Sequence, residues 1–212
     1  MHKLLPAHKE DIQGIALCHK LCFKESLSTQ LGMAYIKKSF EWFLTKENCF
    51  LFYVTKDNLI VGYCGGFIPQ HIGDGSTSGI MQYTMREATM GIAQHPWLLF
   101  HHEVTGMYPL IFKNIKKKIF KKKVAKTPVQ PVTSFDKRVG LVVIGVHPAH
   151  RGLGVFQMLM QEFEKRALGH HIHKLVLTVK KQNKRAINAY LKQGWFIAAE
   201  GVSTLEMNKH LQ

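Results

Sequence analysis

Three observations predict an α/β fold for this sequence. Over residues 139–207 the hydrophobic period switches repeatedly between two and 3.6, in the order strand–helix–strand–helix–strand–strand. A strand, a helix and a further strand in succession call for at least one right-handed parallel crossover. Nearer the start, two apolar runs flank a K-D-N turn, and two stretches of helical period precede them. With 46% hydrophobic residues, the 212-residue chain can bury one substantial core, and it reads as a single domain.

The elements follow in order. Residues 11–23 read as a helix, with Asp11 at its start and Ile12, Ile15, His19, Cys22 and Phe23 recurring on one face. Residues 29–44 read as a second helix, with a stripe of Met33, Ile36, Phe40, Phe43 and Leu44. Residues 49–55 and 59–67 form the hairpin. Residues 69–138 then interrupt the pattern. They begin Gly/Ser-rich, suggest helices near 78–93 and 97–124, and end in a Pro-containing linker, as an insertion with its own helices would. From 138 onward the expected elements are a strand at 139–146, a helix at 152–168, a strand at 173–180, a helix at 183–193, and strands near 195–199 and 203–207.

Charge narrows the choice of partners. The chain carries a formal net charge of +15, which favours anionic partners without choosing among them. Eight lysines fall within residues 113–126 with no acid among them, and Ile115, Ile119, Phe120 and Val124 recur between them. That is a basic amphipathic pattern. It is either a solvated face or a surface for something anionic, such as a phosphorylated substrate or an anionic membrane. Nucleic acid is disfavoured, because neither a recognition motif nor an interleaved aromatic platform is present. The N-terminus has no apolar signal-peptide region and no run is long enough for a bilayer, so a soluble, cytoplasmic protein is expected, in peripheral contact with the membrane if residues 113–126 bind one. The four cysteines form no C-x-x-C pair and, like His170, His171 and His173, no metal-ligand spacing, so no metal is expected and the thiols are read as small buried hydrophobes.

The chemistry sits in two motifs. Residues 145–156, G-V-H-P-A-H-R-G-L-G-V-F, end an apolar strand and open a helix through a glycine-containing turn. Gly152 and Gly154 permit close approach of backbone to a ligand, and the first helical amides with the helix dipole make an anion site beside Arg151. It is neither a Walker loop nor a full dinucleotide fingerprint. By itself an R-G-x-G turn is also an ordinary strand–helix connection. The second motif, N-K-R-A-I-N-A-Y-L-K-Q-G-W at 183–195, places Asn183 as a helix cap, Ala186, Ile187, Tyr190 and Leu191 on one face, and Gly194 at the C-terminal end. An amphipathic helix with Tyr190 in the core would read the same way.

In this order, with a strand between them, the two motifs resemble the GNAT superfamily of N-acetyltransferases, over residues 138–208 and also over the opening 1–68. The resemblance implies a mixed, mostly antiparallel twisted sheet with helices on both faces, here with a helical insertion at 69–138. It implies acetyl transfer from acetyl-CoA to a primary amine, on a small molecule such as an amino sugar or on a protein. Backbone groups of Ile144 and Val146 would pair with the pantetheine arm. Arg151, Gly152, Gly154, Val155 and Phe156 would surround the pyrophosphate, Asn183 would contact the pantetheine or nearby backbone, and Tyr190 would protonate the leaving thiolate. The sequence departs from the family pattern at two points. Phe156 stands where a glycine or alanine is expected, and the strand at 139–146 has no carboxylate to act as base. Glu103, His101, His102, His147 or a water molecule remain candidates for that role. The alternative is a catalytically inactive protein that keeps the fold for CoA binding or for interaction.

Overall fold

The computed structural model describes residues 2–71, 74–105 and 136–212. Among them, strand β1 (Lys3–Pro6) is followed by helices α1 (Ile12–Cys22), α2 (Leu27–Gln30) and α3 (Met33–Glu41), and by the hairpin β2 (Cys49–Lys56) and β3 (Leu59–Phe67). Helices α4 (Ser76–Tyr83), α5 (Met85–Gln94) and α6 (His102–Thr105) precede β4 (Val139–Val146). The chain closes with α7 (Val155–Gly169), β5 (Lys174–Lys180), α8 (Lys184–Lys192), β6 (Phe196–Glu200) and β7 (Thr204–His210).

The strands form one seven-stranded sheet in the order β1-β2-β3-β4-β5-β7-β6. Among the described strands only β4 and β5 pair in parallel, with α7 as the crossover, and every other pair is antiparallel. The mixed, mostly antiparallel sheet expected from the sequence is therefore present. The β2–β3 turn has both Asp57 and Asn58 in the left-handed region, at φ 51° and 61°, which matches the right-handed twist of the strands it joins.

Alternation along the strands sends side chains to two cores. Phe50, Phe52, Val54 and Cys64 face α7, where Val155, Leu159, Met160 and Phe163 are buried. Leu51, Tyr53 and Tyr63 face the opposite layer of Ile12, Ile15, Ile36, Phe40, Trp42 and Phe43. Glycine sets the spacing at Gly62, where an added Cβ would lie 2.7 Å from Val155 Cγ1 and 3.1 Å from Leu159 Cδ1. Helix α7 thus packs directly on the β3 backbone.

Several boundaries differ from the sequence expectation, each for a local reason. Strand β1 was not anticipated. The helix expected at 29–44 is broken: Ser26 caps the short α2, Gly32 enters α3 at φ 101°, and a 3-10 turn covers Trp42–Leu44. The helix expected at 78–93 divides at Thr84, whose hydroxyl turns back to Ile80 O at 2.8 Å. Of the helix expected at 97–124, a 3-10 turn at Pro96–Phe100 and α6 are described. The rest of it, with the lysine run at 113–126, lies outside the described residues. Helices α4 and α5 pack on α3, with Gly79 against the Trp42 ring and Gly91 against the Leu31 backbone.

One buried polar group stands out in the second core. His19 Nδ1 lies 2.7 Å from Tyr63 Oη, and Nε2 lies 2.9 Å from Ser28 Oγ. Burial pushes its pKa from the ordinary 6.5 down to about 4, so the folded protein holds the neutral ring. The unfolded chain then binds more protons than the folded one between those two values. Stability from this group is complete above pH 6.5 and is lost as pH falls towards 4, by an amount on the order of 3 kcal/mol. Urea denaturation of His19→Leu should show a shallower fall over this window than wild type. It should also show lower stability at pH 8, because the Tyr63 hydroxyl loses its partner.

Candidate active site

Strands β4 and β5 pair only through Val139↔Leu175, Gly140↔Val176 and Leu141↔Leu177. Both continue, to Val146 and Lys180, but beyond Leu141 they part. The departure coincides with a bulge. Against β3, Gly65 pairs with Val143 and Gly66 with Leu141, so Val142 is the extra residue. A bulge bends its strand and increases local twist, here at the last residue that β4 shares with β5. The result is a cleft of about 650 Å³ walled by the two diverging strands.

The register decides what β4 offers to this cleft. His147 N–H donates to Val61 O at 2.8 Å, and antiparallel pairs alternate between bonded and non-bonded. Gly145 and Val143 therefore direct their backbone groups to β3, while Ile144 and Val146 direct theirs into the cleft. Both residues line it.

At the far end of β4 the chain makes a 3-10 turn, Pro148–His150, capped by His147 Nδ1, which accepts from Ala149 N–H at 3.2 Å. Gly152 and Gly154 follow at φ 78° and 80°, with open space where a side chain would begin. These left-handed residues explain why α7 starts at Val155 rather than at 152. The first amide drawn into the helical ladder is Met158 N–H, donated to Gly154 O at 3.0 Å. The amides of Val155, Phe156 and Gln157 are thus the ones a helix leaves without an intrahelical acceptor, and they carry the positive end of its dipole. Arg151 lines the cleft with its Nε donating to Val146 O at 3.2 Å.

The other wall comes from α8. Asn183 caps it by accepting from Ala186 N–H at 3.2 Å, and Gly194 closes it at φ 79°, both as the spacing predicts. Leu191, expected on the buried face, is 44% exposed. Tyr190 lies between Phe156 and Trp195, each ring centroid at 5.8 Å. Burial raises its phenol well above the ordinary value, so it stays protonated.

Seven of the expected binding residues line the cleft together with Tyr190: Ile144, Val146, Arg151, Gly152, Gly154, Phe156 and Asn183. Val155 does not. Its side chain is buried beneath Gly62, leaving only its backbone near the loop. Phe156, the departure from the family pattern, leans on Tyr190 and forms part of the wall.

Of the candidate bases, His101, Glu103 and His147 do not line the cleft. His147 holds its own turn, and its pKa is lowered by burial and by the neighbouring His150 and Arg151. Glu103 forms an ion pair with Lys180, which does line the cleft, and so ties α6 to the end of β5. Among the described residues no carboxylate lines the cleft. Nor do they contain a cluster of three or more potential metal ligands, or a helix long and apolar enough to cross a membrane.

Sequence reasoning missed the wall built by the end of α1 and the residues after it, where His19, Cys22, Phe23 and Ser26 face the cleft. Arg185 was also overlooked. An arginine two residues after the cap of a helix beside an anion site was the available signal.

Residues 123–195 match the model of the acetyltransferase (GNAT) family. Among curated proteins, none matches the chain by sequence. The fold is similar to that of the ribosomal-protein-S18-alanine N-acetyltransferase from Escherichia coli, at 11% identity and TM-score 0.58, over 100% of this chain and 95% of that one. It is similar to the PaiA N-acetyltransferase from Thermoplasma acidophilum in complex with coenzyme A, at 12% identity and TM-score 0.57, over 100% and 99% of the two chains. A third likeness is to the ribosomal-protein-alanine N-acetyltransferase from Brucella melitensis, at 13% identity and TM-score 0.57, over 99% of each chain. The family match over residues 123–195 and the likeness of the whole fold to these N-acetyltransferases point the same way.

Proposed function

We propose that this protein transfers an acetyl group from acetyl-CoA to a primary amine. The observation that carries the reading is the convergence of two unsatisfied backbone surfaces on one cleft: the edge of β4 beyond Leu141 and the N-terminus of α7. The first suits the amides of a pantetheine arm and the second suits a pyrophosphate. A substituent at either Gly152 or Gly154 would intrude where the phosphates lie.

In this reading Ile144 and Val146 hold the arm as a neighbouring strand would. The amides from Gly152 to Gln157 and the Arg151 guanidinium hold the phosphates, and Asn183 fixes the start of α8 against the arm. Tyr190 donates its proton to the thiolate as the acyl–sulfur bond breaks, and its raised pKa keeps that proton in place until then. The amine must be neutral to attack. With no carboxylate on the described wall, its proton leaves to water at the cleft mouth. The acceptor enters at the end bordered by Lys180 and α6, and the basic residues 113–126 recruit it when it is anionic, or bring the enzyme to an anionic membrane.

Calorimetry with CoA tests the phosphate site. Gly154→Glu should weaken binding by more than tenfold, about 1.4 kcal/mol or more. Gly154→Ala separates charge from backbone, because it carries only the strain of a side chain at positive φ, about 1–2 kcal/mol of stability.

Tyr190→Phe should lower kcat by roughly 100-fold or more, as loss of a general acid does, while CoA affinity stays within about threefold, because the hydroxyl acts only as the bond breaks. Steady-state kinetics with a panel of amines and CoA calorimetry on the same protein check both halves. A protein that binds CoA without turning over any amine would be the inactive relative instead.

A further inference from the structure

The wall contributed by α1 contains chemistry that amine acetylation does not use. Cys18 and Cys22 stand one helical turn apart with their sulfurs 4.0 Å from each other. They are not equivalent. Cys18 is 2% exposed and belongs to the second core, whereas Cys22 is half-buried and lines the cleft with Arg151 and Arg185. All four cysteines are free thiols.

We propose that Cys22 is itself an acyl acceptor, taking the acyl group of acyl-CoA onto its sulfur within the cleft. The inference rests on the acetyl-CoA reading of the cleft, and it adds a covalent modification site to it. Three features support it. The cleft places a thiol on the wall of the cavity assigned to a thioester. The deeper thiol, Cys18, keeps its proton, because the contact with Cys22 and then burial push its pKa far up. The Cys22 pKa is lowered chiefly by that contact, against burial, with further help from the Arg151 and Arg185 charges. A thiolate is the reactive form of cysteine, and the Arg151 and Arg185 charges that share the cleft wall favour that form of Cys22.

The step balances without an oxidant or further reactant. The Cys22 thiolate attacks the thioester carbonyl carbon and forms a new carbon–sulfur bond. The bond from that carbon to the CoA sulfur breaks, and the electron pair leaves with CoA. The proton that Cys22 gave up ends on the CoA thiol. One thioester replaces another, so the exchange is reversible and excess CoA returns the acyl group.

Incubation with acetyl-CoA followed by intact-protein and peptide mass spectrometry tests this. The expected result is one added acetyl group on Cys22, removed by excess CoA or by neutral hydroxylamine. Cys22→Ala should lose it while still binding CoA by calorimetry. Cys18→Ala should keep it but form it several-fold more slowly at neutral pH, and the pH profile of Cys22 alkylation by iodoacetamide should move upward. CoA should protect Cys22 from that reagent. Wild-type protein that binds CoA yet gains no acetyl group on Cys22, or gains it only on lysine or another cysteine, overturns the proposal and leaves the acetyl-CoA reading intact. Failure to bind CoA at all overturns both.

Discussion

The cleft exists because two parallel strands stop pairing. A strand that leaves its neighbour ordinarily strands its polar backbone, and burying such groups unpaired is costly. Here β4 is released after Leu141 by the bulge at Val142, while its other edge stays fixed to β3 and β5 stays fixed to β7. Both strands thus remain rigid as they diverge. The gap between them is a set of polar groups awaiting a partner, and the rest of the molecule serves to hold it open. Helix α7 packs on one face of the sheet and α1 on the other.

In the proposed reading, this arrangement lets backbone rather than side chains dominate the phosphate end. Phe156, which departs from the family pattern there, sits on a helix whose amides are presented regardless of side-chain identity. Phe156 is accommodated by leaning on Tyr190. The same contact stiffens the wall that carries the phenol, so the substitution couples the start of α7 to the middle of α8.

Much of this was legible in the sequence, for reasons that differ from element to element. The β4–α7–β5–α8 stretch announces itself because apolar runs, paired glycines and an asparagine cap are each local signals, and each found its expected place. Strand β1 was not legible: four largely exposed residues ending in Pro6 carry no alternation, and its pairing with β2 is a matter of tertiary contact. The second helix was over-extended because its hydrophobic stripe continues through a 3-10 turn that periodicity does not resolve. The α1 wall was hidden for a different reason. His19 and Cys22 fall on the apolar stripe of their helix and read as core. Only the fold reveals that the stripe's last turn overhangs a cleft built more than a hundred residues later in the chain.

The long connection between β3 and β4 bears on how such a protein diverges. The two strands it joins are paired neighbours, Phe67 opposite Gly140, so the ends of the connection are held together by the sheet whatever lies between them. Lengthening a closed loop raises its entropic cost only logarithmically, which leaves this stretch open to drift, duplication and new charge. Yet it is no free appendage, since Gly79 and Gly91 fit it closely to Trp42 and Leu31. One flank of the molecule can therefore be rewritten by selection within the limits of that fit, while the opposite flank, with its fixed register and left-handed glycines, stays as it was.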